Sequence, residues 1–341
     1  MKRFAIQPQP RIITIVNRST NQQSAGDSFV LPSKRCATLT GEHASLWGGR
    51  TMSYQIVTDS SCNLTEVLID ELELEILPLT FMVDGVQHQS YLKGETTDLK
   101  QFYTMMREGK VITTSLPNLS NSEKLLTNIL KSGKDILYLG FSSGLSGTYN
   151  SIETLNHDLR TRFPERTIEC IDTLAASMGE GLLVYYAAKM KQGGASLAEV
   201  AAWVRENKLK LAHWFTVDDL MFLYRGGRVS RTAAFAGSML KIKPVMHVDN
   251  EGHLIPLEKK RGRKKSIQGL VEHMEATANA PVADQVVGIS HGDCIEDVEY
   301  LQSLITKKFG VTKYLVNYVD PVIGAHSGPG TLALFFLASE R

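Results

Sequence analysis

From Met52 onward the amino-acid sequence predicts an α/β fold, built as two α/β domains with largely parallel central sheets covered by helices. Three observations carry this. Short apolar runs alternate with amphipathic stretches, the rhythm of strands followed by covering helices. Turn signals such as Asp84-Gly85 and Asp249-Asn250-Glu251-Gly252 separate extended segments and predict hairpins at sheet margins. A chain of 341 residues with 43% hydrophobic content is longer than one typical domain needs.

In order along the chain, strands are expected over 55–58, 76–83, 136–139, 167–171, 211–217, 244–248, 285–289 and 314–319. Helices fill the intervals. Ser120-Asn121-Ser122-Glu123 reads as a capping box opening a helix whose apolar face is Leu125, Leu126, Ile129 and Leu130. A second helix follows Ser196 through Leu197, Val200, Ala201 and Val204. Residues 1–51 are rich in Ser, Thr, Gln and Pro without periodicity and are expected to be disordered. Met52 is an alternative start. The remainder divides into 52–208 and 209–341.

Charge excludes some functions. The chain carries 37 Lys and Arg against 36 Asp and Glu, which gives no global attraction to nucleic acid or an anionic membrane. Lys259-Lys260-Arg261-Gly262-Arg263-Lys264-Lys265 is a local basic run, but no aromatic residues interleave with it as a base-stacking platform requires. Cys36, Cys62, Cys170 and Cys294 lack C-x-x-C spacing, so neither a zinc site nor a disulfide framework is expected, and a reducing cytoplasm fits. No stretch approaches the roughly 20 apolar residues that span a bilayer, so no stable membrane insertion is expected.

The segment with most chemistry is Gly140-Phe141-Ser142-Ser143-Gly144-Leu145-Ser146-Gly147-Thr148, an apolar strand running through a hydroxyl-rich turn into a helix. Glycines admit close approach, the helix start presents free N–H groups, and the hydroxyls of Ser142, Ser143, Ser146 and Thr148 add donors. Without a P-loop lysine, the loop suits one carboxylate or phosphate more than a polyphosphate. The same residues satisfy Gly-x-Ser-x-Gly, so a serine hydrolase using Ser142, with Asp172 and then His291 or His326, is the alternative. Further clusters are Thr58-Asp59-Ser60-Ser61, Thr113-Thr114-Ser115, the guanidinium pair in Arg225-Gly226-Gly227-Arg228, and Gly324-Ala325-His326-Ser327-Gly328-Pro329-Gly330.

Taken in order, Thr58-Asp59-Ser60-Ser61, Thr114-Ser115-Leu116-Pro117, Ser142 to Tyr149, Arg225-Gly226-Gly227-Arg228, Lys243-Pro244-Val245 and the His326 segment resemble the DegV family of bacterial fatty-acid-binding proteins. The resemblance runs from about Met52 to the end. It implies a long-chain fatty acid in a tunnel between two domains, its carboxylate held by Thr114 and Ser143, with Ser142 and loop N–H groups nearby. It also implies a non-catalytic acyl-binding subunit serving a separate ATP-using fatty acid kinase, with Arg225 or Arg228 and His326 facing the acyl phosphate or the kinase. No Walker loop or paired-acid Mg²⁺ site is visible, so no cofactor is expected beyond the fatty acid ligand.

Overall fold

The computed structural model describes residues 53–95, 97–230 and 242–341. The extension at 1–51, expected to be disordered, lies outside the described residues. The chain opens with β1 (Tyr54–Asp59), a 3₁₀ turn (Ser60–Cys62), α1 (Glu66–Glu71), β2 (Glu75–Leu77), β3 (Thr80–Val83), β4 (Val86–Gln89), α2 (Leu99–Arg107) and β5 (Ile112–Ser115). It continues through α3 (Leu119–Lys131), β6 (Asp135–Gly140), α4 (Thr148–Arg162), β7 (Ile168–Asp172), α5 (Met178–Gln192) and α6 (Leu197–Asn207). Then come β8 (Leu211–Thr216), α7 (Leu220–Arg225), β9 (Ile242–Val248), β10 (Leu254–Arg261), α8 (Arg263–Thr277), β11 (Val286–His291), α9 (Ile295–Phe309), β12 (Lys313–Tyr318), α10 (Pro321–Ser327) and β13 (Leu332–Leu337).

One sheet, in the order β2-β1-β6-β7, is parallel throughout. All six residues of β1 and of β6 are buried, as expected of strands covered on both faces by helices. The second sheet, β10-β9-β8-β13-β11-β12, is mixed: only β11 and β12 run parallel. The α/β class holds, but the second sheet is not largely parallel. Its antiparallel pairs are the β9–β10 hairpin at Asp249 to Gly252, β9 against β8, and both neighbours of β13, which inserts between β8 and β11. A small antiparallel sheet, β4-β3-β5, completes the strands.

Two local expectations shift. The segment 76–83 breaks into β2 and β3 at Pro78, because proline cannot donate to a ladder. The helix expected to open at Ser120 is capped instead by Asn118, whose side chain accepts from Asn121 N at 3.1 Å. Asn118 follows Pro117, which fixes an extended approach. At Ser196 the capping box forms fully with Glu199.

Helix α5 packs between the two larger sheets: Met178, Leu182 and Leu183 share one buried cluster with Leu137 and Leu139 of β6 and Phe335 of β13. Polar links reinforce the junction. Asn63 bonds Asp320 (3.2 Å), Asn317 bonds the Asn63 carbonyl (2.9 Å), and the Tyr103 hydroxyl donates to the Val319 carbonyl (2.9 Å).

Candidate functional site

Where loops of the parallel sheet face the mixed sheet, a cavity opens, with about 1070 Å³ of empty space, mouth included. Its walls are mostly apolar, including Phe141 and Leu145 from the loop after β6, Phe215 from β8, Leu223 from α7, and Ala333 and Phe335 from β13. Because side chains alternate across a strand, Ala333 and Phe335 face the cavity while Leu332, Leu334 and Phe336 join the core on the opposite face.

Polar groups gather at one part of the wall. Thr114 ends β5 and its Oγ1 lies 2.8 Å from His326 Nε2. Ser146 and Thr148, at the start of α4, also line the cavity, their hydroxyls 2.9 Å apart. Arg228 completes this part of the wall. Its guanidinium donates to the Leu145 carbonyl at 3.1 Å and to the Gly226 carbonyl, and burial lowers its pKa. Burial and then the Arg228 charge push His326 down to about 4, so the ring is neutral at pH 7. A Cβ at Gly226 would sit 2.3 Å from His326 Nδ1, so only glycine lets the backbone after α7 lie against the ring.

Thr114, Arg228 and His326, named from the sequence, thus meet at one place. Ser142 and Ser143 do not join them. Ser142 is fully buried and its hydroxyl donates to the Gly252 carbonyl at 3.0 Å, tying the loop to the β9–β10 hairpin. Ser143 N donates to Asp172 Oδ1 at 3.2 Å, and the residue is absent from the cavity wall. The hydroxyls that do face the cavity lie three to five residues further on, at Ser146 and Thr148. In Ser-Ser-Gly-Leu-Ser-Gly-Thr the turn points the first serine back into the protein, a direction that a list of donors does not carry. Arg225 lies at the end of α7, stacked 4.6 Å from the Phe222 ring.

The alternative hydrolase constellation does not assemble. Asp172 Oδ1 accepts from backbone N–H groups of Ser143 and Leu174, and His326 pairs with Thr114. His291 lies against the Tyr318 ring at 4.2 Å, tilted by 44°, and accepts from Cys294 N, so neither of these histidines pairs with Ser142. In the basic run, Lys260 pairs with Glu258 and Glu272, and Arg263 with Asp297, which neutralises part of its charge.

Asp59 and Glu180, both fully buried, are bridged by the Ser61 hydroxyl (2.5 and 2.6 Å), and Thr58 donates to Glu180 at 2.8 Å. Burial raises both pKa values, and Asp59 is the next largest cause for Glu180. Asp59 also accepts from Phe141 N at 3.0 Å, so this pair sets the loop that walls the cavity. Thr58-Asp59-Ser60-Ser61 is therefore a support and not a contact. Among the described residues no helix is long and apolar enough to cross a membrane, and no group of three or more acidic, His or Cys side chains is placed to hold a metal ion.

The comparisons with known proteins agree with this architecture. A family model described as "Uncharacterised protein, DegV family" matches residues 53–339. A DegV domain-containing protein of Clostridium perfringens is 43% identical over 288 residues, spanning 84% of this chain and 98% of its own. A DegV family protein of Thermus thermophilus, whose solved structure is described as fatty acid binding, superposes with TM-score 0.75 at 29% identity, covering 84% of this chain and all of that one. DegV of Bacillus subtilis, described as a fatty acid binding protein, gives TM-score 0.71 at 28% identity with 84% and 100% coverage. With residues 53–339 matched by the family model and nearly the full length of such relatives covered, this chain belongs to the DegV family.

Proposed function

We propose that the protein binds a long-chain fatty acid in this cavity, with the carboxylate among Thr114, Ser146, Thr148, Arg228 and His326 and the acyl chain along Phe215, Ala333 and Phe335. The observation that carries the reading is the form of the cavity: mostly apolar walls, with Thr114, Ser146, Thr148, Arg228 and His326 gathered at one part of them. Burial of each methylene contributes about 0.8 kcal/mol, so the chain supplies most of the affinity. Hydroxyl donors and one guanidinium keep the carboxylate ionised. The solved structures of relatives described as fatty acid binding point the same way.

A carrier with no visible phosphoryl-transfer machinery suits the role of acyl-binding subunit to a separate ATP-using kinase that forms the acyl phosphate. Arg225, on the outer end of α7, is the cation placed for such a partner, while Arg228 and His326 belong to the head-group end of the cavity. The test is denaturing extraction of purified protein followed by mass spectrometry, together with binding to Thr114→Ala and Ser146→Ala variants. Near-stoichiometric fatty acid and a loss on the order of tenfold in each variant are expected, as for a hydrogen bond to a charged group. Empty protein that also takes up no added fatty acid overturns the reading. Arg225→Ala should keep fatty acid and lose acyl phosphate production with the kinase.

A further inference from the structure

Two hydroxyl groups beside the cavity are left without a partner. Ser327, 4% exposed, lines the cavity, and its Oγ has no hydrogen-bond partner. Ser290, fully buried, is likewise unpartnered at Oγ. Helix α10 presents Val322, Ile323, His326 and Ser327 to the cavity, residues spaced one and four apart and so on one face. Thr331 reaches back to the Ser327 and Gly328 carbonyls (3.0 and 2.8 Å), which fixes the end of that helix against the start of β13. On β11, Ser290 stands level with the cavity-lining Ala333 of β13 and with Asn317 of β12.

Ser327 thus lines the wall close to Thr331, Ser290 adjoins Ala333 from β11, and the next lining residue along β13 is Phe335, level with His213. That pair offers no free nitrogen, since His213 Nδ1 is held at the Leu211 carbonyl (2.9 Å) and Nε2 accepts from Ala176 N (3.3 Å). The two serines are different. A buried hydroxyl facing only hydrocarbon forfeits the hydrogen bonds it had in water, and a plain alkyl chain cannot return them.

Resting on the fatty-acid reading above, we propose that the cavity has a subsite for a hydroxylated acyl chain, whose hydroxyl pairs with Ser327 and lies beside Ser290. A hydroxyl fits because it both donates and accepts, as serine does. A charged substituent does not, because neither serine supplies a countercharge. Since Ser327 adjoins His326, the preferred hydroxyl sits in the half of the chain nearer the carboxylate.

The test uses the full chain, stripped of endogenous lipid, and calorimetric titration with stearate and with stearates hydroxylated near the carboxylate, at mid-chain and near the methyl end. Binding about threefold to tenfold tighter than stearate is expected for a hydroxyl in the carboxylate-proximal half, the value of one hydrogen bond, with no gain near the methyl end. In Ser327→Ala the ratio of the two affinities falls towards one. Equal or weaker binding of every hydroxylated chain to the unaltered protein overturns the proposal and leaves the serines to a buried water. No binding of stearate at all removes the fatty-acid reading and this subsite with it. The positional series on the unaltered protein decides the matter even where a variant fails to fold.

Discussion

At His326 a neutral imidazole shares a hydrogen bond with a threonine beside a buried guanidinium. Its pKa lies below that of a free histidine, so protonation opposes the folded state, and the stability this ring contributes is lost as pH falls from about 6.5 through about 4. An anion bound against it reverses part of the shift. The His326 ring signal followed by NMR should titrate near pH 4 in ligand-free protein and move upward once fatty acid is added. A midpoint unmoved by ligand would place the carboxylate elsewhere. Ser142 makes a structural bond, and Ser142→Ala should lower unfolding free energy by about 1 kcal/mol or more in denaturant titration, because the Gly252 carbonyl loses its donor. The residue types of the site were legible: Thr114, Arg228 and His326 stood out as donors near small residues. Their geometry was only partly so. Which of four hydroxyls in the loop after β6 turns outward depends on where the hairpin tip lies, and that tip is a hundred residues away in sequence.

Among elements, the β9–β10 hairpin is the clearest case of one part of the chain shaping another. Gly252 takes a positive φ of 81°, and a Cβ there would fall 2.1 Å from Ser142 Oγ. Gly252→Ala should therefore cost roughly 2 kcal/mol or more, combining backbone strain with displacement of the buried serine, and thermal unfolding will report it. The capping box at α6 gives a milder case. Ser196→Ala should cost about 1 kcal/mol, since Glu199 N loses its acceptor and the hydroxyl bond to the Glu199 carboxylate goes, while the backbone N–H at 196 keeps its own. Strands buried on both faces, such as β1, β6 and β8, were readable as apolar runs. The short edge strand β4, Val86-Gln87-His88-Gln89, carries polar residues for solvent and was marked only by the Asp84-Gly85 turn before it. The neighbours of β13, although its own sequence is strongly apolar, follow from long-range pairing that periodicity cannot reveal.

For the whole molecule, the cavity lies where the two larger sheets meet, so ligand binding and the junction between them are thermodynamically linked. Free fatty acid at a hundred times its dissociation constant should add about 2.7 kcal/mol to unfolding stability, visible as a rise in melting temperature. Affinity should climb about fourfold per added methylene along a saturated series until the chain reaches His213 and Phe335, and then level off. A flat series would mean that the acyl chain lies outside the protein. The α/β class and the length of the matched region could be read in advance, because local periodicity reports them. The mixed order of the second sheet could not, because strand neighbours are set by the folded whole.

The apolar lining has one more practical consequence. Water gains little by entering such an enclosure, and an unfilled one forgoes the contacts that a packed interior would make. If the cavity takes an acyl chain as proposed, the folding protein is under pressure to take up whatever chain the surrounding cell offers. On the proposed fatty-acid reading, material from a heterologous host is expected to carry a sample of that host's lipid pool, and the identity of the passenger then records supply as much as preference. Competition between defined chains on emptied protein separates the two.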